Sequence, residues 1–260
     1  MLGYRMTLAY DGTAYAGWQV QPGLPTVQGT LEAALERIVG ARVRVVASGR
    51  TDAGVHALAQ VAGFRCTTRL APEVLRRAIN AHIPDDIYVA ELQVAPDGFH
   101  AIRDALAKRY RYVIQDGPHR DLFARTTSWH LHSGLDVTQM QAGARYLVGR
   151  HDFRSFESAG APRRHSVRTI YALRIERFAR RRLQPLAIEV EADGFLYNMV
   201  RNIVGSLVLV GRGERPPDWI AQVLAACDRT QAGPTAPACG LMLWSVRYGA
   251  AAGGECADGP

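Results

Sequence analysis

The stretch ASGRTDAGVHALAQVAGF, residues Ala47 to Phe64, places an arginine, a carboxylate and two glycines in a short loop between two apolar runs. Arg50 and Asp52 lie two positions apart, so on extended backbone both project to one side. A guanidinium beside a carboxylate keeps it ionised. The result is an anionic oxygen in a cationic setting, suited to nucleophilic or base chemistry. Gly49 and Gly54 permit tight turning and close approach by a ligand. The same two residues can equally serve as a structural ion pair that pins a hairpin.

Other residues invite chemistry with a polyanion. Lys108-Arg109-Tyr110-Arg111-Tyr112 alternates cations and aromatics. On a strand it offers rings to stack on bases and charges to meet phosphates, although half-buried tyrosines are also ordinary strand residues. Arg201 interrupts an apolar helix pattern in which Phe195, Met199, Ile203 and Leu207 recur at core spacing. Asn198, Arg201 and Gly205 fall on a different stripe, where a cation must find a partner or snorkel to solvent. Arg201 is expected to reach Asp52 or a substrate phosphate. Arg163-Arg164-His165 with Arg168, and Arg180-Arg181-Arg182, form basic loops. Together with Lys108, Arg109 and Arg111 they can track a phosphate backbone in a salt-sensitive way. His56, His100, His130, His132 and His151 have no recognised ligand spacing, and no metal site is expected. Cys66, Cys227, Cys239 and Cys256 contain no C-x-x-C pair, which argues for free thiols in a reducing compartment.

These residues need elements to position them. Tyr4–Tyr10 reads as a strand stopped by Asp11-Gly12. Thr26 can cap a helix through Leu31, Leu35 and Ile38, with Gly40 just past its end. Arg42–Ala47 and Leu58–Arg65 read as strands flanking the loop. Pro72 starts a helix, and Ile87–Val94 is a fourth strand. The order β-α-β-β-α-β is that of a split βαβ unit. Past a joint near Ala95–Ala107 come a strand at Lys108–Gln115, a helix at Val137–Val148, and strands at Val167–Arg177 and Leu186–Ala192. Helices at Phe195–Val210 and Pro217–Cys227 and a strand at Leu241–Tyr248 follow. The expected class is α+β. Two ferredoxin-like, split βαβ (RRM-like) halves would share an extended, mainly antiparallel sheet with helices packed on it. Residues 1–105 would carry the Asp52 loop, residues 106–248 would complete the active-site cleft, and 249–260 would form a disordered tail.

Bulk properties agree with a globular protein. The 260 residues are 48% apolar and 21% charged. Lys+Arg less Asp+Glu is 31 − 24, a net charge of +7, with a pI near 9.5, which favours polyanionic partners. Lys108 is the only lysine, so almost every cation is the planar fork of arginine. The opening MLGYRMTLAYDG lacks a signal-peptide apolar core, and the apolar run near Ile203–Val210 is far too short to span a bilayer. A cytoplasmic location with no membrane partner is expected.

The segment GRTDAGVHALAQV resembles the catalytic signature of the tRNA pseudouridine synthase A family. YDGTAYAGWQVQPGLPTVQGTLEAAL resembles the family's opening, and NAHIPDDI, FHA, KRYRYVI, LVGRHDFRSF, FLYNMVRNIVGSLVLVGRG and APACGLML match in the same order. The resemblance runs from about Tyr4 to Tyr248. It implies isomerisation of uridine to pseudouridine in the tRNA anticodon stem-loop, at positions 38 to 40, without metal or organic cofactor. Asp52 matches the essential aspartate, whether that group attacks the ribose, takes a sugar proton or adds to the base. Tyr110 matches a tyrosine that packs against the target base, and Leu241 a leucine lining the uracil pocket. Arg50 and Arg201 would bind substrate, Lys108, Arg109, Arg163 and Arg164 would meet the RNA backbone, and the partners implied are tRNA and a second copy of the chain. Where the family often follows FHA with arginine, this chain has Ile102, so that contact is not carried over. A catalytically silent RNA-binding module is the rival from another class, and a metal-dependent phosphohydrolase or nuclease the third reading.

Overall fold

A computed structural model describes residues 1–160, 165–179 and 183–249. The chain divides into two units, Met1–Lys108 joined by the chain from Met242 onward, and Arg109–Leu241. Both combine a mainly antiparallel sheet with helices.

In the first unit the elements are β1 (Leu2–Tyr10), α1 (Val27–Val39), β2 (Val46–Ala47), β3 (His56–Cys66), α2 (Pro72–His82) and β4 (Ile87–Val94). Strand β1 is central, antiparallel to β3 on one side and to β4 on the other. Met6 and Leu8 on β1 and Leu31, Leu35, Leu75 and Ile79 on the two helices are fully buried. Helix α1 is bounded by the local chemistry of its ends. The Thr26 hydroxyl accepts from the Gly29 N–H, and Gly40 closes the helix in the left-handed region at φ 71°. The expected strand Arg42–Ala47 shrinks to the two residues of β2. Val43 and Val45 are buried, but the Val45 N–H donates to Glu32 Oε1 at 2.9 Å and the Val45 carbonyl accepts from Gln28 Nε2 at 3.0 Å. Side chains of α1 have taken the backbone bonds a ladder would use. Arg5 is buried on β1, with its guanidinium 4.8 Å from the Tyr248 ring centre and 5.9 Å from that of Phe99.

Strand β5 (Ala105–Asp116) runs from the first unit into the second. There follow β6 (Trp129–Leu131), α3 (Val137–Ala144), β7 (Gly149–Asp152), β8 (Val167–Arg177), β9 (Leu186–Ala192), α4 (Met199–Gly211) and α5 (Trp219–Ala226). The sheet order in this unit is β5-β9-β8-β7, with β6 parallel to β5. Strands β6 and β7 carry no clear alternation and were not expected from the sequence. Helix α4 begins four residues later than its apolar pattern suggests, because Asn198 adopts the left-handed region at φ 59° and cannot continue a helical turn backward. Helix α5 likewise starts at Trp219, and α3 gives way after Ala144 to a tighter turn over Arg145–Leu147.

The last strand, β10 (Leu241–Tyr248), returns to the first unit and pairs in parallel with β3, Met242 opposite His56 and Leu243 opposite Ala57. Among the described residues no helix is long and apolar enough to cross a membrane. The basic loop residues Arg163, Arg164 and Arg180–Arg182, and the tail after Gly249, lie outside the described residues.

Candidate active site

In the first unit, the loop from Ser48 to Val55 joins β2 to β3, and buried polar side chains fix its course. Gln60, fully buried on β3, holds its near end: the Ser48 hydroxyl donates to Gln60 Oε1 at 2.7 Å, and Gln60 Nε2 donates to the Gly49 carbonyl at 2.9 Å. The hydroxyls of Tyr10 and Thr51 share a hydrogen bond of 2.8 Å. Burial pushes the Tyr10 phenol up to about 12, against the opposing effect of its bonds with Thr51 and Gln60, so it stays protonated. From outside, the Trp18 N–H donates to the Thr51 carbonyl at 2.9 Å, and the Gly54 N–H reaches the Tyr15 carbonyl. Gly17, at φ 99°, passes so close that a Cβ there would stand 2.7 Å from the Thr51 carbonyl oxygen. Within the loop the Val55 N–H donates to the Asp52 carbonyl at 3.1 Å. Asp52 is thereby carried, half-buried, on a segment with little freedom.

Along the loop Arg50 is exposed, Thr51 is buried and Asp52 is half-buried. Lys108, read from sequence as an RNA-backbone contact, donates from Nζ to the Ser48 carbonyl at 2.6 Å. Its ammonium lies so near that a Cβ on Gly49 would be 3.2 Å away. Behind the loop, His56 is buried with Nδ1 3.1 Å from both the Gly12 N–H nitrogen and Asp11 Oδ1. Burial raises the Asp11 carboxyl, but the Thr13 hydroxyl and N–H and the neighbouring His56 outweigh it and leave Asp11 below its ordinary value.

The second unit carries the other expected site residues. Tyr110 is buried, edge-on to Phe195 with ring centres 4.9 Å apart. Tyr112, two positions on, donates its hydroxyl to the Pro237 carbonyl at 2.8 Å. Burial holds that phenol well above its usual value. Gly240 lies against the Tyr112 ring, where a Cβ would come within 2.5 Å, and the buried Leu241 follows directly. Arg201, half-buried, donates from Nε to the Ala236 carbonyl and from a terminal nitrogen to Asn198 Oδ1, both at 2.7 Å. Arg201 and Gly205 thus face the segment Gly233–Pro237. Arg109 and Arg111 are engaged across the sheet by Glu191 and Glu189, with Arg109 to Glu191 at 3.0 Å and Arg111 Nε to Glu189 at 2.7 Å. Two cations expected to meet phosphate thus spend charge on neighbouring carboxylates.

The sequence reading missed Tyr10, Ser48, Thr51, Gln60 and Trp18 as supports of the loop. Gln60 was the visible sign: a polar residue in the otherwise apolar run LAQVAGF. Among the described residues no three His, Cys, Asp or Glu gather as a metal-ligand group. Cys66, Cys227 and Cys239 are free thiols.

A carboxylate carried on a braced loop in a strongly basic chain suits an enzyme that works on a nucleic acid. Comparison with known proteins narrows this to RNA isomerases, since residues 6–102 and 144–249 match the family model described as tRNA pseudouridine synthase. The chain belongs to the tRNA pseudouridine synthase family. It is 46% identical over 244 residues to tRNA pseudouridine synthase A of Brevibacillus brevis, covering 94% of this chain and 98% of that one. The protein of the same name from Moorella thermoacetica is 49% identical over 247 residues, with 94% and 98% covered. That from Myxococcus xanthus is 43% identical over 244 residues, with 94% and 91% covered. A solved H/ACA ribonucleoprotein bound to a substrate RNA aligns at 14% identity and a TM-score of 0.34, over 79% of this chain and 44% of its own; that likeness is too slight to bear on the mechanism.

Proposed function

We propose that the chain isomerises uridine to pseudouridine in the anticodon stem-loop of tRNA, at positions 38, 39 or 40, with Asp52 as its catalytic carboxylate. Family membership supports the reaction and the tRNA substrate. The observation that carries the choice of Asp52 is its half-buried place on a loop clamped by Gln60, Tyr10, Lys108 and the Trp18 segment.

The chemistry explains why one carboxylate suffices. The bond from ribose C1′ to uracil N1 breaks, the base turns, and a bond from C1′ to C5 forms while the C5 proton is lost and N1 gains one. Atoms balance without water, oxidant or cofactor. A glycosidase needs two carboxylates because it must deliver water and protonate a leaving oxygen. Here Asp52 is the sole acidic residue between Ala47 and Phe64. A stem uridine is stacked and paired, so it must be flipped out at a cost of a few kcal/mol, offset by contacts to base and backbone. By resemblance to the family, Tyr110 packs against the extruded base, Leu241 lines its pocket, and Arg50 and Arg201 hold the nucleotide. The exposure of Arg50 leaves its guanidinium available for a phosphate or for the space the base vacates. Arg163 and Arg164 are offered to the RNA backbone, and the enzyme acts as a cytoplasmic homodimer.

The reading of two split βαβ halves draws support from chain order. Strand, helix, strand, strand, helix, strand recurs as β1-α1-β2-β3-α2-β4 and, with β6, β7 and α5 inserted, as β5-α3-β8-β9-α4-β10, the last of which joins the first unit.

Asp52→Asn tests the assignment. Bound tRNA is expected to persist by filter binding while pseudouridine formation disappears. Retained pseudouridine formation would remove Asp52 from the mechanism.

A further inference from the structure

Arg229 belongs to none of the roles above, yet it is a half-buried guanidinium that no carboxylate of the described residues pairs. It sits in the short turn after α5 and points back onto α4. One terminal nitrogen donates to Asn202 Oδ1 at 3.0 Å and to the Thr235 hydroxyl at 3.1 Å, and the other reaches the Ala232 carbonyl at 3.4 Å. Thr235 donates to the same Asn202 oxygen at 2.7 Å. The Asn202 amide nitrogen is engaged too, by the Phe156 carbonyl at 2.8 Å and the Ser158 hydroxyl at 3.2 Å, so the whole side chain is used and its orientation fixed.

The segment so gripped is the one that holds Arg201. The Gly233 N–H donates to the Ser206 hydroxyl. Gly205 presses so tightly on Pro234 that a Cβ there would fall 1.7 Å from its carbonyl oxygen. The Ala236 N–H donates to the Arg201 carbonyl at 3.1 Å, and the Ala236 carbonyl accepts from Arg201 Nε at 2.7 Å. A cation is costly to bury without an anion, and burial indeed lowers the Arg229 guanidinium from its ordinary value. An apolar side chain could fill the same space more cheaply. What a guanidinium adds is a fixed fork that ties three acceptors on two segments at once.

We infer that Arg229 is a positioning residue: it sets the course of Ala232–Ala236, and through Ala236 the orientation of the Arg201 guanidinium toward the substrate. This rests on the role proposed above for Arg201. Arg229→Met, assayed in the full chain on unmodified tRNA, is expected to keep its melting temperature within a few degrees and its KM unchanged. Its kcat should fall about tenfold, the order expected for a misplaced group. Arg229→Lys, which keeps the charge but not the fork, should recover only part of that loss. In an Arg201→Ala background, Arg229→Met should cost nothing further, since its effect passes through Arg201. A normal kcat in Arg229→Met, or losses that multiply in the double variant, would overturn the inference. Should Arg229→Met fold poorly, Thr235→Val loosens the same segment without touching the charge; normal turnover there would overturn it as well. Wild-type turnover in Arg201→Ala alone would sink the proposed role of Arg201, and the inference with it, and that outcome is read from the single variant before any Arg229 change is made.

Discussion

The loop that carries Asp52 is braced by buried polar side chains. Gln60 and Ser48 are completely buried and Thr51 nearly so; Gln60 bonds the Gly49 carbonyl and Ser48, and Thr51 bonds Tyr10. Lys108→Met tests whether the ammonium serves the loop or the RNA. We expect kcat to fall about tenfold while the dissociation constant for tRNA and its salt slope stay unchanged in filter-binding titrations. A phosphate-contacting lysine would behave the other way, weakening binding and flattening the slope. Tyr10→Phe should cost about 1 kcal/mol in urea unfolding, the usual worth of a buried hydrogen bond. Asp116 gives a pH signature. Burial raises its carboxyl, but the paired bonds from Arg177, each 2.7 Å, and the Leu135 N–H hold it below the ordinary carboxylate range. A depressed folded-state value contributes stability that is complete above the unfolded carboxylate pKa of about 4 and is lost as pH falls through the lower folded value. Asp116→Asn should therefore flatten the loss of melting temperature below that pH. At this scale the loop around Asp52 was legible because a carboxylate among loop glycines stands out. The contact of Lys108 with the loop was not, because a cation in a basic, aromatic-rich strand looks the same whether it faces phosphate or a carbonyl 60 residues away in the chain.

At the level of elements, glycine contacts mark where helices cannot yield. Gly205→Ala in α4 would drive a methyl group into the Pro234 carbonyl. We expect a loss of at least about 2 kcal/mol, since the helix and the Gly233–Pro237 segment must part to admit it. Chemical denaturation gives the number, and a neutral result would mean the segment is free to move. The sequence disclosed those elements whose signals are local. Caps Thr26 and Gly40 bounded α1, Pro72 opened α2, and β4, β8, β9 and β10 came out with their observed limits. It misjudged elements whose fate depends on distant partners. Val43–Val45 reads as strand by residue type, yet Gln28 and Glu32 of α1 claim its backbone. Phe195–Asn198 carries a helical apolar pattern, yet Asn198 turns left-handed, and its amide nitrogen donates to the Ser158 hydroxyl at 3.2 Å.

For the molecule as a whole, a charge of +7 is not spread as a free basic coat. Arg109, Arg111 and Arg177 are committed to Glu191, Glu189 and Asp116. Attraction for tRNA is thus expected to depend on a subset of the arginines. The slope of binding against salt, taken from titrations across potassium chloride concentrations, should count only a few phosphate contacts; a steep slope near ten would show that the paired arginines exchange partners on binding. One feature of the chain's path bears on how the enzyme comes into being. The strand that borders β3 beside His56 is β10, joined to the first unit from some two hundred residues downstream. While a ribosome is still elongating the chain, the sheet next to the Asp52 loop lacks that neighbour. A nascent chain halted before Leu241 should leave this margin open to misfolding and to chaperones, and pseudouridine formation should begin only after the final strand has emerged.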